Sequence, residues 1–353
     1  MTNGTRLALI LAATGILGLL GPILAPAYQI QMAELWLFIV FALTWDLTGG
    51  QMGYNSFGNV VFLGVGMYAC AVAQIGTIYS VGEYTAARGG GTAFTFDLTQ
   101  YLGGLAVGLP FGALLAVLTA LVLGWLVLGM RGHYFAIATL GLGVAAGEMA
   151  AGWEWIGAGS GMTAPTPPDW ISLRFNSFFY YLSFALAVAT FLIVRWLLST
   201  RFGLAINAIR DDEDKAEAMG LPTKQLKVTA WVVAALFLGL AGGIYGNMKR
   251  FIDPTEVAFA GSTIGVWMVL MAILGGKGTL WGPIIGAIVF QFTKEFFWTF
   301  LLGWQRVALG LLIVLIVVFF PQGIIGWIKD RFPGRFGRGV EPEPAVQPAR
   351  EAG

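Results

Sequence analysis

The chain has one cysteine, Cys70, and one histidine, His133, among its 353 residues. A single thiol excludes an intrachain disulfide, and Cys70 lies in an apolar run, where a small buried side chain is its ordinary reading. One Cys and one His supply too few soft ligands for a transition-metal site. A zinc-binding histidine pair is excluded, and a Ser-His-Asp hydrolase would depend on His133, near which there is no nucleophile elbow. Charge is scarce as well: Asp, Glu, Lys and Arg make up 11% of the chain and its net charge is +1, against about 25% charged residues in a soluble domain. There is no basic run of the kind that follows a phosphate backbone, so a nucleic-acid partner is not expected. A nucleotide-binding loop is also missing. The nearest stretch, "ILGGKGT" at 273–279, lacks a Ser or Thr after Lys277 and the spaced upstream glycine.

What fills the chain instead is apolar residue, 57% of the total, with 50 glycines. The apolar runs recur along nearly the whole length, each close to the ~20 residues that cross a bilayer. The pattern predicts an all-α integral membrane protein with about ten transmembrane helices, near 6–24, 31–48, 57–78, 101–128, 133–151, 176–198, 225–246, 262–280, 283–302 and 306–326. A transmembrane barrel would show alternation in segments of about ten residues. Abundant glycine suits helices that approach closely in lipid.

Lys and Arg placement orients these spans. With the N-terminus inside, 14 of the 20 basic residues fall on the inner side, and both termini come out cytoplasmic. Arg6, the apolar stretch after it and Ala25-Pro26-Ala27 have the outline of a cleavable signal, but the proline between the alanines favours a retained first helix; cleavage would leave nine spans. Residues 1–328 read as the transmembrane domain. The tail at 329–353, rich in Pro, Gly and charge, reads as disordered. Trp153, Trp155 and Trp170 suit an aromatic belt at the outer boundary. Glu34, Asp46, Glu148, Lys294 and Glu295 fall within spans, where charge is costly, yet all are near enough to predicted ends to reach water. No deep relay is visible, which weighs against an ion-coupled carrier.

One inner loop, about 199–224, stands out. Its segment "INAIRDDEDKAEAMGLPTKQLK" at 206–227 gathers five of the chain's 19 carboxylates. Asp211–Asp214 crowd the start of a short helix, where the helix dipole favours carboxylates, and Asp211 or Asp212 can act as N-cap. Gly220 fits the position past the helix end and Pro222 follows. The helix therefore covers about 212–219, with Ala216 and Met219 on one face. Two turns are unstable alone in water. The residues leave two readings open, a solvated helix lying at the membrane surface, which local acid disfavours, and a helix that docks on a cytoplasmic partner.

Four blocks then resemble a known family, the permease subunits of bacterial ABC importers for branched-chain amino acids. They are "ALTWDLTGGQMGYNSFGNVVFLGVGMYACA" at 42–71, "RGHYFAIATLGLGVAAGEM" at 131–149, "TRFGLAINAIRDDEDKAEAMGLPTKQLKVTAW" at 200–231, and "MAILGGKGTLWGPIIGAIVFQF" at 271–292 with "FFPQGIIG" at 319–326. The likeness covers about residues 31–328. Met67, Lys277 and "GAGSGMTAP" at 157–165 depart from the usual pattern, which loosens the substrate assignment, since related permeases carry urea or short amides. The resemblance implies a subunit in the bacterial cytoplasmic (inner) membrane, surrounded by lipid, that works with a second permease subunit, two cytoplasmic ATPase subunits and an extracytoplasmic solute-binding protein. ATP hydrolysis is then a partner's work, and this chain is no enzyme and needs no cofactor. By position, the 199–224 loop matches the coupling helix that fits a groove of the ATPase, with Gly203, Arg210, Asp211, Asp212, Ala216, Met219 and Gly220 as its motif residues. Arg210 and Asp212 would be polar contacts, Ala216 the small contact surface and Gly220 the terminator. Asn55, Ser56, Asn59, Tyr134 and Thr139 are the expected substrate-path residues, as small or polar groups near span ends. An ion-coupled carrier acting alone is the rival class.

Overall fold

The structure, a computed structural model, describes residues 18–87, 94–166, 174–300 and 322–331, with single positions 15, 304, 307, 310–311 and 314. Each of the eight expected spans from 31–48 to 283–302 falls on a helix. The first, at 6–24, and the last, at 306–326, lie largely outside the described residues, as do Trp170 and most of the tail.

Helix α1 (Gln29–Asp46) is apolar on every side, and twelve of its residues are buried. A helix without a polar face belongs inside a bundle. It continues into a widened π-helical segment, Leu47–Gln51, and the chain turns at Gly53, whose φ is +83°. Helix α2 (Asn59–Gly76) follows, then a short connecting helix, α3 (Val81–Ala86). Helix α4 (Leu98–Val127) opens with a reciprocal cap: Asp97 accepts from the first turn while Gln100 accepts from the Asp97 amide. That arrangement satisfies two donors that a helix start otherwise leaves free. Next come α5 (Gly132–Ala151) and α6 (Phe175–Leu198). The loop helices α7 (Arg201–Asp211) and α8 (Glu213–Ala218) lead into α9 (Thr223–Lys249).

After α9, strand β2 (Phe251–Ile252) pairs antiparallel with β1 (Met162–Thr163). The chain then re-enters through two π-helical pieces, Pro254–Ala258 and Gly261–Gly265, before α10 (Val266–Gly275). The span expected at 262–280 is thus wound from Pro254, interrupted at Phe259–Ala260 and finished by Gly275. Helices α11 (Gly282–Phe300) and α12 (Gly323–Arg331) complete the described chain. Among the described residues, seven helical stretches are long and apolar enough to cross a membrane.

Helices α2, α4 and α9 pack backbone against backbone. A Cβ on Gly66 of α2 would run into the backbone of Gly239 on α9, and one on Gly112 of α4 would sit 2.6 Å from the Gly66 carbonyl oxygen. No side-chain layer separates these helices there, which is the use of small residues between helices in lipid. Helix α5 packs differently. Its buried residues, Phe135, Thr139, Gly143, Gly147 and Ala150, recur about every four positions. They form one narrow stripe of a helix that faces α2 and the interrupted segment; most of the other α5 residues are exposed.

Two charged clusters sort the helix ends. At one end Lys249 of α9 and Lys294 of α11 both bond the Glu34 carboxylate of α1, at 2.5 and 2.8 Å. At the other end the start of α9, the end of α4, the start of α5 and helix α8 meet. Antiparallel alternation of the spans, as the sequence implies, requires this grouping.

Candidate functional site

Thr200 caps α7 by accepting from the Phe202 amide at 3.2 Å. Gly203, Ile206 and Ile209 form its buried face, at helical spacing. Gly203 lies against the backbone of Leu198, so its place in the motif is the tight packing of α7 on the end of α6. Arg210 reaches the junction below α1: its side chain lies beside Gly53, and its guanidinium holds Asp211 at 3.0 Å. There Asp46, buried at the end of α1, accepts from the Gly278 amide at 2.7 Å and ties the turn between α10 and α11 to the π-helical segment.

Asp212 is the N-cap of α8, accepting from the Lys215 amide at 3.0 Å. That amide and the Lys215 ammonium hold its carboxyl below the usual range. Gly220 stops the helix with φ +86°, a conformation that costs other L-residues about 1–2 kcal/mol. The helix thus covers 213–218, one residue shorter at each end than the sequence suggests.

What holds so short a helix is its acid. The Glu213 carboxylate receives Lys227 Nζ at 2.7 Å, the Tyr54 hydroxyl, and Arg131 Nε at 3.6 Å. Lys227, only 3% exposed, also donates to Tyr54 Oη at 3.0 Å and to the Leu128 carbonyl at 2.7 Å. Burial and the neighbouring Glu213 carboxylate raise the Tyr54 phenol far above its usual range, so it stays a donor. Arg131, at the start of α5, bonds Asp214 at 2.5 Å and approaches Glu217 at 3.6 Å. The cluster therefore joins α8 to three transmembrane helices, through the end of α4 and the starts of α5 and α9.

Two expectations about the loop change. Ala216 is 3% exposed and packs inward, so it offers no surface to a partner. It is not on one face with Met219, which is 86% exposed. The outward apolar residues are Met219 and Leu204, the latter 73% exposed, among the exposed charges of Asp211, Asp214, Lys215 and Glu217.

The expected path residues fall elsewhere too. Ser56 and Asn59 are buried: the Ser56 carbonyl accepts from Trp45 Nε1 at 2.7 Å and Asn59 Oδ1 from Trp231 Nε1 at 3.2 Å. Thr139 Oγ1 accepts from the Phe57 amide at 3.1 Å. Tyr134 and Asn55 are exposed. Asn59 ties α2 to α9, Thr139 ties the start of α2 to α5, and Ser56 ties it to α1. The cavities lie further along α5. One of about 460 Å³ runs between α5 and the interrupted segment, lined by Phe57, Leu140, Val144, Glu148, Ser262 and Val266 among others. A second, of about 930 Å³, lies between α2, α4 and α5 and shares Glu148 and Phe259 with the first. Among the described residues no group of three or more His, Cys, Asp or Glu is placed to hold a metal ion.

The sequence reading missed Glu213, Lys227, Tyr54 and Arg131 as a unit. Its available signal was Lys227 itself, a lysine two residues inside an expected span.

Seven membrane-capable helices, an interrupted span beside a cavity and a braced charged loop at one end define a multi-pass helical membrane protein of the transporter kind. The chain belongs to the family described as branched-chain amino acid transport system / permease component, which matches residues 32–319. It is 28% identical to the high-affinity branched-chain amino acid transport system permease protein LivM of Escherichia coli (strain K12), over 83% of this chain and 72% of that protein. It is 23% identical to the probable LivM of Methanocaldococcus jannaschii over 84% and 93% of the two chains. A shorter likeness, 24% over 42% of this chain and 46% of the other, joins it to LivH of E. coli (strain K12). No solved structure matches the chain.

Proposed function

We propose that this chain is a transmembrane subunit of an ATP-driven importer for branched-chain amino acids, and that α7 and α8 form the segment through which separate ATPase subunits move it. The observation that carries the coupling role is the brace around Glu213: the two-turn helix α8, which with Leu204 of α7 and Met219 presents apolar groups and charge outward, is fastened to α4, α5 and α9 by Lys227 and Arg131. A displacement applied to α8 passes directly to the helix that lines the cavities. The family match supports the transport role, and the relatives' names favour branched-chain amino acids over urea or short amides.

On this reading both termini and the 199–224 loop face the cytoplasm, ten helices span the bacterial inner membrane, and residues after 328 form a tail. A second permease subunit completes the path, in the way that two permease names, LivM and LivH, occur among the relatives. A solute-binding protein delivers the amino acid from outside. ATP is hydrolysed by the partners.

The test is a Leu204→Asp/Met219→Arg variant, which alters exposed residues and leaves the buried face of the loop intact. Copurification of the ATPase subunits and ATP-driven uptake both fall at least about tenfold while membrane insertion is unchanged. Normal uptake in that variant overturns the docking assignment. The interrupted segment at 254–265 is the kind of break that a carrier working alone also uses. Uptake by this chain reconstituted without ATPases would decide for that rival.

A further inference from the structure

Glu148 is a carboxylate on α5, a largely exposed helix, beside a mostly apolar cavity. It lines both cavities, and among the described residues its side chain has no ion-pair partner. Three cations of that end, Lys249, Lys294 and Arg250, are engaged elsewhere. Lys249 and Lys294 bond Glu34, and Arg250 lies over the Phe175 ring at 4.5 Å. Glu148 stands three residues before the end of α5, exposed beside both cavities, and an ionisable group of a membrane helix that faces a cavity marks a candidate path. The opposite wall is the interrupted segment, whose irregular backbone is tolerated in a membrane where it borders a cavity. Its Ser262 offers a hydroxyl to the same space. Thr255, whose hydroxyl donates to Asp253 at 3.1 Å, also lines it, and the rest, Phe57, Leu140, Val144, Phe259 and Val266 with three glycines, is apolar. About 460 Å³ is within the size range of small-molecule sites.

We infer that Glu148 is the ammonium anchor of a transit site for an amino acid, with Ser262 toward the solute's carboxylate and the apolar wall around its side chain. This inference rests on the reading of the chain as an amino-acid permease and names the residue that recognises the solute inside it. A single charge-assisted contact in a mostly apolar cavity suits a transit site, because binding must allow entry and still permit departure. The absent partner of Glu148 is then the solute itself, a cation that comes and goes.

The experiment uses the complete importer in lipid vesicles, with its binding protein, comparing wild type, Glu148→Gln and Glu148→Asp. Radiolabelled L-leucine binding to the purified complex and ATP-driven uptake are measured together, with 4-methylpentanoate, which lacks the ammonium, as competitor. Glu148→Gln weakens leucine binding and uptake at least about tenfold, the loss expected for one charge-assisted bond, and Glu148→Asp recovers part of it. Subunit yield and basal ATP hydrolysis stay within about twofold. The competitor, poor against leucine on the wild type, gains on Glu148→Gln. Equal leucine uptake by wild type and Glu148→Gln overturns the inference and leaves the amino-acid reading standing. Loss of the second permease subunit from the Glu148→Gln complex also overturns it, since the carboxylate would then pair across the subunit interface. A wild-type importer that moves no branched-chain amino acid overturns the functional reading first, and this inference with it.

Discussion

Replacing Lys227 by Met tests the brace directly. The side chain is 3% exposed, and its ammonium serves three acceptors at 2.7–3.0 Å: Glu213, the Leu128 carbonyl and Tyr54. Methionine fills a similar volume without the charge, so cavity effects are small. Removing one member of a buried ion pair costs about 3–5 kcal/mol, most of it the penalty of the charge left behind. Glu213 keeps the Tyr54 hydroxyl and Arg131 at 3.6 Å, which places the loss near the lower limit, about 3 kcal/mol. At 1.4 kcal/mol per factor of ten, the ratio of docked to undocked α8 falls by about 100-fold. The effect stays local, because a two-turn helix opens without the bundle. Amide hydrogen exchange is the assay. The Ala216, Met219 and Leu221 amides, which bond to Asp212, Lys215 and Ala216 carbonyls, exchange about 100-fold faster in Lys227→Met. Uptake per ATP hydrolysed by the assembled importer falls in parallel. Removing both charges, in Lys227→Met/Glu213→Leu, regains most of the protection, since losing both partners is far cheaper than stranding one. Unchanged exchange at these amides in the single variant would refute the assignment of Lys227 as the brace.

Two further outcomes follow from local geometry. Gly66→Val forces α2 away from Gly239 and the Gly112 backbone and lowers stability by about 3 kcal/mol, read as a fall in thermal midpoint of the purified protein, whereas Gly103→Ala, with nothing within 4 Å, leaves it unchanged. The Asp212 carboxyl is held below its ordinary value by the Lys215 amide and ammonium. Its stabilising effect is therefore complete above its unfolded value of about 4 and is lost as pH falls through the lowered folded value. Exchange protection of the Lys215 amide fades with acid in wild type, and Asp212→Asn, which caps without titrating, removes that dependence; an identical pH profile in the two proteins would contradict the capping role.

The spans that fall among the described residues were legible because a helix that must cross lipid writes its length into a long apolar run. The short helix at 213–218 was legible for a different reason: Asp212 and Gly220 are start and stop signals that act within a few residues. Failures came where the deciding contact is distant in sequence. Tyr54 and Glu213 are 159 residues apart, and neither residue announces the other. Ala216 is a small apolar residue in a charged helix, equally fit to face a partner or the interior; only packing separates the two, and it faces inward. The interruption at 254–265 escaped because the expected span began at 262, past Pro254 and the first π-helical piece, whose winding depends on packing against α2 and α5. Thr139 was picked for its hydroxyl, while the informative pattern was the four-residue recurrence of Phe135, Thr139, Gly143 and Gly147, which marks the one stripe by which α5 holds on.

The direct backbone contact of α2, α4 and α9 divides the molecule mechanically. Where side chains separate two helices, rotamer changes can absorb small shifts; at Gly66, Gly112 and Gly239 there are none to change. Dense packing of this kind resists gradual deformation, so the three helices behave as a stator. Helix α5 meets this block through one narrow stripe and, at one end, through Arg131, so the contact that fixes its position is a line rather than a face.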